Sequence, residues 1–275
     1  MRLVRPLLWV FVVTTFIGLV QLYVRYDSPE VAFAWTIEPP PSAAFLGAGY
    51  AAGFLLTVLA LRDGRWATAR IAVLTVLVFT WLTLLVTLVH LDRFNLDSDD
   101  AVLQVAAWLW LGIYVIVPPA MAIVLYLAVR AREEDPPVLR PMGPLMRIAL
   151  VVVGASMLAV GVALLVDPEW VGEEWPWELT PLTGRAIGAW LLPLGLAALW
   201  AIRERDLVRL RPAFLTFALF GVLLALALVR YDDDVSWDVL GATLYLVWLA
   251  ALIVIGLIGT VGARGAEPEA GSQSP

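Results

Sequence analysis

The chain has 275 residues, 61% of them hydrophobic and only 15% charged, with a mean hydropathy of +0.87, a composition that excludes an ordinary soluble domain. It has no Cys, one His and 18 basic residues that are all Arg, which excludes disulfides, thiolate metal sites, a Schiff-base lysine and bis-histidine haem ligation within one chain.

Crossing a hydrocarbon core of about 30 Å takes about 20 apolar residues, which leaves room for roughly eight helices and little else. Long apolar runs bounded by charge predict spans over residues 6–24, 43–61, 71–90, 103–129, 148–166, 186–202, 213–229 and 240–263. The first run follows Met1-Arg2 as a signal peptide would, but Arg25-Tyr26-Asp27 succeeds it with no small-x-small cleavage site, so it reads as a retained helix. The fourth is long enough to tilt, or to kink at Pro118-Pro119. A charged, proline-rich stretch over 131–147 (Pro136, Pro137, Pro141, Pro144) reads as a linker between residues 1–130 and 148–263, and 264–275 as a disordered tail.

Alternating connections fall on opposite sides of the membrane. Fourteen arginines, among them Arg5, Arg70, Arg140, Arg203 and Arg209, lie on one side, and only Arg25, Arg93, Arg185 and Arg230 on the other. The positive-inside rule then places both termini in the cytoplasm of a bacterial inner membrane. Sixteen of the 24 acidic residues lie in the four outer connections, so the outer face stands near −12 (4 − 16). The acidic average carries no message about nucleic acid, for which no partner role is expected, and the inner arginines face anionic lipid.

At an offset of 142, Arg5 pairs with Arg147, Leu22 with Leu164, Trp35 with Trp177 and Pro39 with Pro181; the offset drifts to 140 around His90 and Arg230, and to 138 at Trp110 and Trp248. The segments Trp35-Thr36-Ile37-Glu38-Pro39 and Trp177-Glu178-Leu179-Thr180-Pro181 carry most of this signal. The predicted fold is therefore an all-α integral membrane protein whose eight transmembrane helices form a tandem, parallel 4+4 duplication. The tandem W-x-[I/L]-x-P segment, the Ala-Phe-Leu-Gly-Ala-Gly run after it and Leu-His-Leu-Asp-Arg-Phe resemble an uncharacterised family of actinobacterial polytopic membrane proteins. The resemblance covers most of the chain and implies the fold, and lends no activity, substrate or catalytic residue.

Several features could carry function. Trp35, Glu38, Trp177 and Glu178 precede the second and sixth spans in matching order; they read as interfacial anchors with prolines at helix starts, or as ligand-contacting flaps. Thr80, Thr83, Thr87 and His90 share one face of the third span, within an arc of about 80°, as a wet path would. Their counterparts Phe220, Leu223, Ala227 and Arg230 do not repeat that polarity. Asp232, Asp233 and Asp234 are weak candidates for a hard cation, since they lack the alternating spacing and turn glycine of a calcium loop. No span carries a charge at its middle, where ion coupling needs one. No catalytic residue and no cofactor is expected. The leading reading is a binding, accessory or scaffold protein with outward aromatic-acidic loops, contacting a lipid, a small neutral ligand or a membrane partner. The alternatives are a transporter or channel for a neutral or lipid-like solute along the seam between the halves, and an outer-face enzyme.

Overall fold

The computed structural model describes residues 4–26, 33–130 and 135–264. The tail over 264–275 and the start of the linker therefore lie largely outside the described residues.

The chain is all helical, and eight helices are long and apolar enough to cross a membrane. They are α1 (Arg5–Leu19, continued by one π turn, Val20–Val24), α2 (Pro40–Asp63), α3 (Trp66–Val89), α4 (Ala101–Arg130), α5 (Pro144–Val166), α7 (Pro181–Glu204), α8 (Leu207–Arg230) and α9 (Leu240–Gly262), with a short α6 (Pro168–Gly172) before α7. Most outlast their apolar runs by a turn, because Pro opens α2, α5 and α7 where its missing N–H costs nothing, and charged residues end the helices in the headgroup zone. Pro118 and Pro119 lie inside a continuous α4.

Helices α2, α3, α7 and α8 form the centre, each at least half buried along its apolar stretch, while α1, α4, α5 and α9 flank them and face lipid. Small residues let backbones touch, which drives helix association where apolar burial supplies no net gain. Gly154 and Gly161 of α5 meet Gly195 and Gly188 of α7, and Gly256 of α9 lies against the α8 backbone at Ala218.

The turns α2–α3 and α7–α8 are alike. Gly64 after α2 and Arg205 after α7 are the positive-φ residues among those described (71° and 57°). A side chain in that region costs about 1 kcal/mol, and Arg205 is exposed, so Arg205→Gly is expected to stabilise the protein by that amount. Equilibrium unfolding in mixed micelles checks this; a loss of stability would contradict it.

The arginine-rich end is closed by an ionic clasp. Glu204, Asp206 and Arg209 are buried. Arg70 Nε and Trp200 Nε1 donate to Glu204 (2.5 and 3.0 Å), and Arg70 Nη1 to Asp135 (2.8 Å). Asp206 accepts the amides of Leu139 and Arg140 (both 3.1 Å), and Arg209 reaches the Pro136 carbonyl. The described part of the linker is thus fastened to the α7–α8 turn.

Candidate functional site

At the opposite, acidic end the segments before α2 and α7 converge. Each is fixed from beneath by its tryptophan. Trp35 (5% exposed) packs against Phe33, Phe94 and Trp110, with ring centroids 4.9–5.1 Å apart. Trp177 (2% exposed) packs against Trp175 and Tyr245, both at 5.5 Å, and donates Nε1–H to buried Ser42 (2.8 Å). The expectation that these tryptophans sit as membrane-interface anchors is therefore corrected: both are core residues, because rings from the neighbouring loops and helices enclose them. Trp170, 65% exposed, is the residue of that loop that does suit an interface.

Backbone bonds complete the support. Asn95 N donates to the Ala34 carbonyl (2.9 Å) and Ser236 N to the Pro176 carbonyl (2.7 Å), so the segment before α2 is tied to the turn after α3 and the segment before α7 to the turn after α8. With the tryptophans pinned, Glu38 and Glu178 project into one cleft of about 710 Å³, lined also by Tyr26, Pro39, Glu169 and Thr180. Glu38, Glu169 and Glu178 are all exposed, and among the described residues no basic side chain lines the cleft. Helices α2 and α7 begin here, and each N-terminus contributes about half a positive charge, so three carboxylates leave a local charge of about −2. Such a surface suits a cationic, hydrogen-bond-donating group.

The threonine stripe faces inward. Thr80 sits on a lateral cleft between α1 and α4, and Thr83 and Thr87 on a small void beside Trp35 and Trp190. Thr87 donates to the Thr83 carbonyl (2.8 Å) and accepts from Trp110 Nε1 (3.0 Å). The stripe does not continue to His90. That residue lies at the surface end of α3, where Arg185 Nη1 donates to its Nε2 (3.0 Å), which requires a neutral ring. Partial burial, then Arg185 and, more weakly, Arg93, lower its pKa from 6.5 against the opposing pull of Asp92. The unfolded chain takes up this proton first, so stability is expected to fall as pH drops from about 6.5 through the lowered pKa, and to change no further below it. His90→Gln keeps an acceptor and should flatten that stretch of the melting-temperature profile; an unchanged slope would contradict the assignment.

Asp232, Asp233 and Asp234 form one exposed 3₁₀ turn, with Asp232 accepting from Trp237 Nε1 (2.9 Å). Among the described residues no group of three His, Asp or Glu side chains is placed to hold a metal ion.

The seam in the middle of the bundle is filled. Phe79 of α3 stacks on Trp190 of α7 at 3.9 Å, Tyr50 of α2 meets Trp190 at 5.2 Å, and Phe45 meets Phe220 at 5.6 Å. The void left beside Thr83 is about 20 Å³, close to one water. The sequence reading passed over these rings as ordinary span residues and did not single out Glu169. The isolated phenols Tyr50 and Tyr114 in otherwise apolar spans were the available signal.

No described protein family, curated protein or solved structure matches the chain, so its own geometry carries the functional argument.

Proposed function

We propose that this is a multi-pass binding or accessory protein of a bacterial cytoplasmic membrane, with its termini in the cytoplasm and the acidic cleft outward, where it receives a positively charged segment of a partner. The observation that carries this reading is the convergence of Glu38 and Glu178, from the segments before α2 and α7, on one cleft that no basic side chain lines among the described residues.

The relation between the segments is a 4+4 duplication in this reading. Helices α2 and α7 are both 24 residues long, as are α3 and α8, and each pair is offset by 141 residues. The left-handed residues Gly64 and Arg205 share that offset, and the Asn95–Ala34 and Ser236–Pro176 bonds are equivalent links. A duplicated outer loop brings two copies of an acidic side chain to a shared axis, which is the simplest origin for the cleft. The aromatic seam argues against a solute path between the halves, and the exposure of all three carboxylates argues against an acid–base pair tuned by burial.

The test uses the full chain in nanodiscs and a fluorescent tetralysine peptide. Exposed charge pairs are worth about 0.2–1 kcal/mol each, so Glu38→Gln/Glu178→Gln is expected to weaken binding about tenfold. Asp97→Asn/Asp99→Asn/Asp100→Asn should leave it within twofold, and salt should weaken it. Equal losses in both variants, or no binding at all, would refute the proposal.

A further inference from the structure

The cleft between α1 and α4 has a volume of about 200 Å³ and opens between two lipid-facing helices. Val10, Thr14 and Ile17 of α1 and Leu109 and Ile113 of α4 form its sides. Its floor is polar: Tyr50, Thr80 and Tyr114 reach it from three different helices, beside the ring of Trp110. Tyr50 lies ten residues into α2, about 15 Å below that helix's start and so near the middle of a hydrocarbon core of about 30 Å.

The hydroxyls of Tyr50 and Tyr114, each 5% exposed, share a single bond at 3.3 Å. A pair of hydroxyls joined by one bond keeps a further O–H to give. Next to them, across the small void that shares Tyr50 and Trp110 with the cleft, the buried Trp35 Nε1 has no partner among the described residues. An indole N–H can only donate, and an unmet donor in this environment is costly. Among the described residues no charged side chain lines either space. The walls are aromatic, with Trp110 and Tyr114 centroids 4.5 Å apart.

We infer that the α1/α4 cleft binds the ring of a lipid-soluble quinone, one ring carbonyl accepting from the Tyr50–Tyr114 hydroxyl pair and the hydrocarbon tail lying between α1 and α4 in the bilayer. The lack of charge argues against an ionic ligand, and the spare O–H of the tyrosine pair suits an accepting carbonyl.

A second cleft of about 520 Å³, between α5 and α9, supplies a built-in comparison. The proposed duplication pairs Val10 with Val152, Thr14 with Ser156 and Trp110 with Trp248, all of which line their respective clefts. At the floor it pairs Tyr50 with Leu191 and Tyr114 with Leu252, so the second cleft lacks that phenol pair, although Ser156, Tyr245 and the unpartnered Trp175 Nε1 give it donors of its own.

The test is a titration of the full chain in nanodiscs with decylubiquinone, followed by quenching of tryptophan fluorescence. Wild-type protein is expected to show a saturable component, abolished or strongly reduced in Trp110→Phe and retained in Trp248→Phe. Tyr50→Phe/Tyr114→Phe, which keeps the shape of the cleft, should raise the apparent Kd about tenfold, and Thr80→Val, a milder change, should raise it less. Quenching that rises linearly with quinone in the lipid would overturn the inference, as would saturation unaffected by Tyr50→Phe/Tyr114→Phe. A saturable signal lost with Trp248 in place of Trp110 would assign the ligand to the other cleft and equally overturn it.

Discussion

Asp206→Ala is expected to destabilise the protein by about 3–5 kcal/mol, the cost of stranding a buried charge. The Asp206 side chain is fully buried and does three things at once. It caps α8 by accepting from Val208 N (3.0 Å), holds the linker through the amides of Leu139 and Arg140, and pairs with Arg209 Nε at 3.4 Å. Without it, Arg209 keeps only the Pro136 carbonyl and a 3.9 Å approach to Glu204, whose carboxylate is already bonded to Arg70 and Trp200. Asp206→Asn retains a carbonyl for one amide and the cap and should cost about half as much, by the same reasoning on partial pairing. Equilibrium unfolding of the full chain in mixed micelles measures both. A change below about 1 kcal/mol for Asp206→Ala, the scale of an exposed pair, would show that the clasp is solvated.

Gly256→Ala is expected to cost about 3 kcal/mol or more, at the upper end of overpacking effects. The added Cβ would lie 2.5 Å from Ala218 N and 2.6 Å from the Phe214 carbonyl, both backbone atoms of α8 that no rotamer change can move aside. Helices α8 and α9 must separate, and their van der Waals contact is lost along the interface. Gly112→Ala supplies the contrast within the same protein. No atom lies within 4 Å of its Cβ, so it should be neutral or stabilising by up to about 1 kcal/mol through helix propensity. Equal effects of the two substitutions would contradict the close α8–α9 contact.

The eight spans were legible in the sequence because a helix in lipid must be apolar along its whole length, a constraint strong enough to read without knowing any contact. The partition of charge was legible too, since Arg and carboxylate residues alternate between connections. Pairing of those charges was not. Glu204, Asp206 and Arg209 look like solvated loop residues in the sequence, and only the packing of the linker onto the α7–α8 turn buries them. Trp35 and Trp177 illustrate the same limit. A tryptophan beside a span is as compatible with an interface as with a core, and rings distant in the chain, Trp110 and Tyr245, decide between them. The threonine stripe was visible by its helical spacing, but spacing alone could not separate Thr83 and Thr87, which line a void, from His90, which caps the helix end beside Arg185. The meeting of Glu38 and Glu178 depended on how the two loops fold across the bundle, and matching order in the two segments signalled a relation without signalling a shared cleft.

The chain contains no cysteine, so the shared cleft and its proposed outward orientation can be tested with a single engineered pair. In intact cells expressing Glu38→Cys/Glu178→Cys, a short membrane-impermeant bismaleimide is expected to link the two thiols, and saturating tetralysine to slow that reaction. Linking that requires opened membranes would contradict the orientation, and thiols that each react without joining would contradict the shared cleft on which the proposed function rests.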